Sequence, residues 1–471
     1  MTPGVWRTWR QFAGLKRQRL IARVQLSKSS TDSTCEMNPI LQTFASDSRK
    51  TSGVTRLMAF QGIAVVVAFL VTAYCPETAF SKETAGSSIV PISNTATYED
   101  NRPPARYRLE AHDQGVILRH GGGGERWDVN GARDVWVFKH GGTYFLHYDA
   151  ASSEGWLTAL ATSRDLVSFS KKGPLLRLGQ PGALDSASAS YGTTYFDGKI
   201  WRMFYLGTQT VSPAPSLVPM GPYYILKAKS ENPDGPWVKQ RGVVLTPKAG
   251  TYYDLAVSPG FIIKKGDEYL QFFSAGMRNQ FGVARTIGIA RARELDGPWV
   301  IDRSPILPIA EQIENSSFYF QESTRTWFMF TNHVALYDHQ EFTDAIWVYW
   351  SQDLEHWNPK NKAIVLDASN SSWSKTVIGL PSVLRVDGRL AIFYDGLESA
   401  AERPKGAAEH PDAYRHMFRD IGLTWLDLPI RVPAEDGAPL PRRKVEGAKD
   451  LTIRGGDRFT SGGDPRSLPA K

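Results

Sequence analysis

Four segments of the sequence share one pattern and recur about every 60 residues. Each has a small residue, a polar turn, an aromatic residue and then an apolar pair. The segments are SRDLVSFSKKGPLL (163–176), SENPDGPWVKQRGVVL (230–245), ARELDGPWVIDRSPIL (292–307) and SQDLEHWNPKNKAIVL (351–366). Their aromatic residues are Phe169, Trp237, Trp299 and Trp357, spaced 68, 62 and 58 positions apart. A repeat of this length, built from short strands, is typical of the blades of a β-propeller.

Between these segments the chain reads as pairs of short strands around tight Gly- and Asp-Gly turns. Clear examples are VWVFKHGGTYFLHY (135–148), TTYFDGKIWRMFYL (193–206), GFIIKKGDEYLQFF (260–273) and SVLRVDGRLAIFYDG (382–396). About five repeats fit into residues 110–433. We therefore predict an all-β fold, a five-bladed β-propeller of four-stranded antiparallel sheets. A multi-hairpin sandwich is the alternative, but it does not maintain so long a period over four copies.

The first part of the chain has the features of an export leader. Residues 57–74 form an uncharged apolar run that follows Arg49, Lys50 and Arg56 and precedes Ala79-Phe80-Ser81, a possible cleavage site. We expect residues 1–81 to be a signal peptide or an uncleaved signal anchor, with the true start at Met1 or Met37. The body would then be periplasmic or extracellular, and any membrane contact would come only through an uncleaved leader.

Charge and cysteine content narrow the function of the body. Residues 1–56 have ten Lys or Arg and three Asp or Glu, which accounts for the whole net charge of +7. Residues 57–471 are therefore neutral overall, which argues against nucleic-acid binding. Both cysteines, Cys35 and Cys75, precede the body, so a CxxC zinc site, a thiol nucleophile and a disulfide framework are excluded there. The Ser/Thr/Pro-rich residues 82–109 are predicted to be a linker, and residues 434–471 an irregular, flexible tail.

Three acidic residues stand where the first strands of three blades begin. They are Asp134 in GARDVWVF, Asp254 in TYYDLAVSPGFI and Glu314 in QIENSSFYF, separated by 120 and 60 positions. The first strands of a propeller converge on one end of a central channel, so these side chains are expected to meet there. Glycoside hydrolysis needs a proton donor for the leaving oxygen and a carboxylate that activates water or attacks the sugar. A third acid can adjust the pKa of the donor. Each acid taken singly could instead be a turn or capping residue.

This pattern of blade count and acid spacing resembles the five-bladed propeller glycoside hydrolases, and most closely glycoside hydrolase family 43. The resemblance covers about residues 110–430 and implies roles for the three acids. Asp134 would be the general base, Asp254 would modulate the pKa of the acid, and Glu314 would be the general acid. It also implies inversion of the anomeric centre and a carbohydrate substrate. The separation of Asp134 and Glu314 would then be roughly 6.5–9.5 Å.

The sequence also departs from the family pattern. The usual Asp-Pro of the first blade is Asp134-Val135 here, and the motifs of the retaining fructosidases are absent. The fifth-blade histidine that can hold a channel ion has no counterpart in Ile378–Pro381. A channel Ca²⁺ is possible but unsupported, and no other cofactor is indicated. The nine histidines show no zinc-ligand spacing, so no metal site is predicted.

Five further residues are candidates for substrate binding because they adjoin the acids or lie in loops of the same blades. Sugar sites combine stacking aromatic rings with hydrogen-bonding Arg or His side chains. The candidates are Arg133, Trp136, Tyr253, Arg278 and His333. Each could alternatively be a core residue.

Three other functions stay open from the sequence. A glycan-binding propeller without catalysis would keep the site but lose turnover. A protein-interaction propeller would have a flat apolar face in place of an acidic cavity. A phosphorolytic enzyme would need a cluster of Arg, Lys or His beside the acid, and Arg278 and His333 are compatible with that.

Overall fold

The computed structural model describes the body of the chain. The described ranges are 86–98, 100–122, 127–279, 282–337, 340–398, 416–433 and 451–452. All of them fall within one compact unit, Ala79–Lys471. The leader and most of the predicted tail lie outside the described residues, so their assignments stay predictions. Within the described ranges, no helix is long and apolar enough to cross a membrane.

The described residues are almost entirely β-structure, with one 3-10 helix at Ile309–Glu311. The strands, in chain order, are β1 (Ser87–Pro91), β2 (Tyr107–Leu109), β3 (His112–Leu118), β4 (Gly131–His140), β5 (Thr143–Ser152), β6 (Gly155–Ser163), β7 (Ser170–Pro174), β8 (Ser188–Phe196), β9 (Trp201–Thr208), β10 (Thr210–Val211), β11 (Pro219–Met220), β12 (Tyr224–Ser230), β13 (Val238–Lys239), β14 (Ala256–Lys265), β15 (Glu268–Asn279), β16 (Gly282–Ala292), β17 (Val300–Ile301), β18 (Ile313–Gln321), β19 (Thr326–Tyr337), β20 (Gln340–Ser351), β21 (Lys362–Leu366), β22 (Ser374–Val386), β23 (Arg389–Glu398), β24 (Asp420–Asp427), β25 (Ile430–Arg431) and β26 (Leu451–Thr452).

Most strands belong to antiparallel groups of four, here called sheets 1 to 5. Sheet 1 is β4-β5-β6-β7, sheet 2 is β8-β9-β12-β13, sheet 3 is β14-β15-β16-β17, and sheet 4 is β18-β19-β20-β21. Sheet 5 consists of β22, β23 and β24 with β3, which comes from the other end of the body. The four hairpins expected from the sequence are confirmed as β4–β5, β8–β9, β14–β15 and β22–β23.

The first strand of every sheet has a β-bulge, in which one extra residue interrupts the pairing with the second strand. We call the first unpaired residue of each interruption the bulge residue. The bulge residues of sheets 1 to 5 are Asp134, Tyr191, Pro259, Asn315 and Leu380. All except the proline have a positive φ, between 26° and 56°. A bulge turns the strand and redirects its side chains, so these five positions define one common level of the fold.

In sheet 3 the bulge can be built only with glycine at Gly260. A Cβ atom there would lie 1.6 Å from the backbone oxygen of Phe272. No side chain can be accommodated against a rigid backbone atom at that distance.

Hydrogen bonds between neighbouring sheets link all five groups in sequence, and sheet 5 back to sheet 1. Ser and Thr side chains of the first strands make three of the links: Thr193 donates to the Gly260 oxygen (3.4 Å), Ser317 accepts from the Val383 N–H (3.0 Å), and Ser382 accepts from the Val137 N–H (2.8 Å). Sheets 3 and 4 are joined by the Asn315 N–H donating to Ser274 (2.8 Å), and sheets 1 and 2 by the Tyr191 N–H donating to Asp149. Every first strand is therefore held by its neighbours at the level of the bulges.

The space between the sheets is filled by large apolar side chains. One buried cluster contains Phe138, Trp201, Phe272 and Phe318 together with the repeat residue Trp357. The four repeated aromatic residues lie shortly before β7, β13, β17 and β21, the outermost strands of sheets 1 to 4, and all are buried or half-buried. The repeat found in the sequence therefore marks the outer edge of each of these sheets.

The predicted linker over 82–109 differs from the structure in its described part. Residues 87–109 include β1, which pairs with β25, and β2, which pairs with β1 and β21. Ile89 and Leu109 are 5% and 0% exposed. The linker prediction was wrong because this Ser/Thr/Pro-rich segment also contains a few apolar residues. These residues pack against sheet 4 and β25.

Candidate active site

All five first strands converge on one cavity of about 630 Å³. The bulge residues Asp134, Tyr191, Asn315 and Leu380 line it, and sheet 3 contributes Ser258, the neighbour of its bulge residue. The segment between β9 and β12, which includes the short β10–β11 hairpin, forms a further wall. The positions redirected by the bulges are thus the ones that face the cavity.

Asp134 is fixed in place through both its side chain and its backbone. The Arg133 guanidinium donates from Nε to Oδ2 of Asp134 at 2.9 Å. The Asp134 N–H donates to Oδ2 of Asp395 at 2.8 Å. Arg133 itself packs over the Trp156 ring at 4.7 Å and donates to Nδ1 of His416 at 2.9 Å. The Asp134 carboxylate, 13% exposed, is therefore held next to a positive charge at the cavity wall.

Asp149 is a second carboxyl group beside Asp134. It lies on β5 directly opposite Arg133, is 1% exposed and accepts the Tyr191 N–H. Burial raises the pKa of Asp149 well above the ordinary value, and the negative charge of Asp134 raises it further. A protonated Asp149 can donate a hydrogen bond to the neighbouring Asp134 carboxylate.

Behind Asp134 lies a buried ion pair. Nη1 of Arg419 donates to Oδ1 of Asp395 at 2.7 Å, and the two side chains are 3% and 0% exposed. Burial raises the pKa of Asp395 and lowers that of Arg419. The pair holds in place the same carboxylate that accepts the Asp134 N–H.

Glu314 lies on sheet 4, one residue before its bulge residue. Its side chain is 20% exposed, and Oε2 lies 3.8 Å from Nε of Arg285. Asn315 donates from Nδ2 to Oε1 at 3.3 Å. Glu314 therefore reaches the same cavity as Asp134 but from a non-adjacent sheet and with its own cation.

Arg133 and Arg278, two of the predicted substrate-binding residues, line this cavity together with Asp134 and Glu314. Asp254 does not. It lines a separate, shallower depression of about 490 Å³, where its carboxylate accepts the Arg278 N–H at 3.3 Å. The physical reason is register: Asp254 lies five residues before the bulge residue Pro259, whereas Glu314 lies one residue before Asn315.

Trp136, Tyr253 and His333 are also outside the cavity lining. Trp136 is 3% exposed and donates to Thr194 at 3.0 Å in the core, because the bulge at Asp134 shifts the alternation of side chains along β4. Tyr253 packs edge-on against Tyr252 and Phe273.

His333 is buried in a cluster with residues of the N-terminal segment. Its ring stacks on Trp347 at 3.7 Å and accepts a hydrogen bond from Arg102 at 3.0 Å. Burial lowers the pKa of His333 to about 4, partly opposed by Asp344. The neutral ring is therefore a structural element in this part of the fold.

Asp149, Asp395, Arg285 and Arg419 were not predicted from the sequence. A signal for the two acids was present. Each follows a tyrosine at the end of a second strand, as Tyr148-Asp149 and Tyr394-Asp395. The two tyrosines are equivalent, since Tyr148 donates to Asp128 and Tyr394 to Asp113.

In the described ranges, no group of three or more His, Cys, Asp or Glu side chains is arranged to hold a metal ion. The cavity acid Asp134 pairs with Arg133, and the buried Asp395 behind it pairs with Arg419.

No protein-family model matches the chain, and no curated protein sequence matches it. The chain is similar to solved structures of glycoside hydrolases. One is the catalytic domain of the family 62 α-L-arabinofuranosidase of Coprinopsis cinerea, 13% identical, covering 67% of this chain and 96% of that one with a TM-score of 0.46. Another is a family 117 glycoside hydrolase of the marine bacterium Zobellia galactanivorans, 13% identical, with coverage of 67% and 90% and a TM-score of 0.46. A thermostable family 43 glycoside hydrolase is 15% identical, with coverage of 68% and 98% and a TM-score of 0.44.

Proposed function

We propose that the protein is a glycoside hydrolase that cleaves a glycosidic bond of an oligo- or polysaccharide with inversion. The observation that carries the proposal is the pair Asp134 and Glu314. Two carboxyl side chains from non-adjacent sheets line one cavity, each beside its own arginine. Such a pair supplies the base and the acid of glycoside hydrolysis.

We also propose that the body is a five-bladed β-propeller. Five four-stranded antiparallel sheets, bulges at one level and hydrogen bonds from each sheet to the next support this architecture. In such a ring sheets 1 and 4 are separated by sheet 5 on one side and by sheets 2 and 3 on the other, so Asp134 and Glu314 face each other across the centre.

Asp134 takes the role of general base. The Arg133 guanidinium donates a hydrogen bond to its carboxylate, and the backbone bond to Asp395 fixes its position. An ionised carboxylate at the wall can remove a proton from a water molecule as that water attacks the anomeric carbon.

Glu314 takes the role of general acid. It gives its proton to the glycosidic oxygen as the bond breaks, and Arg285 at 3.8 Å stabilises the negative charge that Glu314 gains. Attack by water from the Asp134 side and departure of the leaving group on the Glu314 side give a product of inverted configuration. Asp254 has no part in this scheme because it lies outside the cavity.

The apolar run 57–74 and its basic flank support export of the protein, with the leader either cleaved or retained as an anchor. A carbohydrate polymer outside the cytoplasm would then be the partner of the cavity.

The proposal is tested by screening the purified protein against aryl glycosides and plant or algal polysaccharides, with the product anomer followed by NMR. We expect hydrolysis with inversion, and a loss of roughly 10²–10⁴-fold in kcat for Glu314→Gln on natural glycosides. Aryl glycosides with a good leaving group need less protonation, so the same variant should lose much less activity on them. Retention of the anomeric configuration would contradict these roles, as would equal losses of kcat on natural and aryl glycosides. A wild-type protein that binds glycans but cleaves none would indicate the non-catalytic alternative.

Phosphorolysis is the second candidate, because Arg278 and Arg285 line the cavity with Glu314. Inorganic phosphate would then replace water as the attacking group. The test is the product: a sugar phosphate formed in proportion to added phosphate identifies phosphorolysis, and a free sugar formed at a phosphate-independent rate identifies hydrolysis.

A further inference from the structure

The cavity wall has more positively charged than acidic side chains. Four arginines and three carboxyl groups line the cavity. One of the carboxyl groups, Asp149, favours the neutral form because it is buried beside Asp134. The lining therefore has one more arginine than carboxyl groups, which is more positive charge than a neutral sugar requires.

Three of these arginines already lie beside an acidic side chain. Arg133 pairs with Asp134 at 2.9 Å, Arg419 with Asp395 at 2.7 Å, and Arg285 lies 3.8 Å from Glu314. The remaining one, Arg278, forms no ion pair with any described residue. Its side chain is exposed, and only its backbone N–H bonds to Asp254.

The position of Arg278 follows from the register of the β15–β16 hairpin. Arg278 pairs with Val283, and Gly276 pairs with Arg285. Residues two apart on a strand share a face, so Arg278, Val283 and Arg285 all point into the cavity, as its lining confirms. Arg278 lies two residues further along the hairpin than the level of Arg285, which is about 7 Å at about 3.3 Å per residue.

Measured from Arg285, the arginine next to Glu314, this offset is comparable with the length of one sugar ring. An arginine guanidinium forms paired, charge-assisted hydrogen bonds with planar or tetrahedral oxyanions, which a neutral hydroxyl cannot match. We propose that the cavity accepts a glycan with an anionic substituent, a carboxylate or a sulfate ester, on the sugar next to the cleaved bond, and that Arg278 binds that substituent. This inference rests on the proposed function.

The test measures binding by calorimetry in the full-length protein with Asp134→Asn, so that no bond is cleaved. The ligands are two matched pairs: trigalacturonic acid and its methyl ester, and a sulfated galactose disaccharide and its desulfated form. We expect one charged ligand to bind at least about tenfold more tightly than its neutral partner, and to bind more weakly as salt is raised. Which pair shows the difference distinguishes carboxylate from sulfate.

Two further variants locate the effect. Adding Arg278→Ala should remove the preference for the charged ligand, and Arg278→Lys should keep part of it. Arg293→Ala is the matched control, because Arg293 is an exposed arginine at the opposite end of the same sheet. It should change the affinity less than about twofold.

Equal binding of charged and neutral partners overturns the inference, as does absence of binding by both charged ligands. Equal losses in Arg278→Ala and Arg293→Ala overturn it too. These results differ from failure of the proposed function: a protein that hydrolyses neutral glycans without any charge preference keeps the function and loses this inference. A protein that binds the charged ligand through Arg278 but shows no turnover in the wild type loses the function and keeps the anion site.

Discussion

The Asp395 carboxylate accepts the backbone N–H of Asp134 across 2.8 Å, and the same carboxylate pairs with Arg419. It thereby connects the second strand of sheet 5 to the bulge of sheet 1. One buried acid thus joins the last sheet of the body to the first and fixes the backbone of the proposed base.

Asp395→Asn should destabilise the protein strongly. The change removes the buried carboxylate that pairs with the Arg419 guanidinium, and breaking a buried ion pair typically costs about 3–5 kcal/mol. The free energy of unfolding from urea titration measures the loss. Asp353→Asn is the control, because Asp353 pairs with His356 at the surface, where such a pair contributes only about 0–1 kcal/mol. Equal losses of unfolding free energy in the two variants would show that the buried pair stabilises the protein no more than the surface pair does.

Asp149→Asn should keep most of the turnover, within roughly tenfold, whereas Asp149→Ala should lose roughly 100-fold. The reason is that Asn imitates the protonated carboxyl: its amide can donate to Asp134, and its oxygen can accept the Tyr191 N–H. Steady-state kinetics on an active glycoside provides the comparison. If Asn and Ala at this position are equally damaging, Asp149 acts as a charge and not as a proton donor.

The same substitution has a consequence for pH dependence. Because the pKa of Asp149 is raised in the folded state, the folded protein keeps a proton that the unfolded chain releases. Wild-type stability should therefore decline as pH rises from the ordinary Asp range towards the folded value, and Asp149→Asn should lack this decline. Urea titrations across that range test the direction.

The lowered pKa of the buried His333 predicts that the folded protein loses stability in acid. Its pKa falls from 6.5 to about 4 on folding. At a pH between these values the unfolded chain binds a proton at His333 and the folded protein does not. Stability should therefore fall as pH drops from about 7 to about 4.5, by roughly 2–3 kcal/mol from this group. His333→Asn should show a correspondingly shallower dependence.

The exposed His356 supplies the control for that measurement. Its ring is 84% exposed, so His356→Asn should leave the pH dependence of unfolding close to that of the wild type. A His333→Asn curve that runs parallel to the wild-type curve would exclude His333 as the source of the acid sensitivity.

Gly260→Ala should prevent folding or cost at least about 4 kcal/mol, because its Cβ would overlap the Phe272 backbone oxygen. Gly141→Ala is a matched change at a turn with open space, where only the positive φ of 55° is strained. There the cost should be about 1 kcal/mol. Thermal unfolding of the two purified variants separates a steric requirement from a general preference for glycine.

The repeat and the hairpins were predictable because they are local. Apolar alternation and Asp-Gly turns specify each strand pair, and the aromatic residues of the repeat mark the outer strands. The bulges were not predictable in the same way, since a single extra residue leaves no strong signal in the sequence. That residue decides which side chains face the cavity. It brings Asp134 and Glu314 to the wall and moves Trp136 into the core.

Asp254 illustrates the same limit from the other side. In the sequence Asp254 stands just before the first strand of its repeat, as Asp134 and Glu314 do. It lies too many residues before the bulge residue Pro259 to share their position in the structure. Asp149 and Asp395 were missed for a different reason. They lie on second strands, opposite Arg133 and Gly379, and the shared Tyr-Asp pair was their one signal in the sequence.

The origin of β3 limits how far the chain can be shortened. This strand precedes sheet 1 in the sequence but completes sheet 5, and β1 pairs with β25 at the other end of the body. A truncated chain that starts at Trp127 would contain every cavity-lining side chain, yet β24 would keep β23 and lose β3, and its outer edge would present unpaired backbone groups to solvent. Such a fragment should self-associate through that edge, so material for crystallisation or screening needs to begin before Ser87.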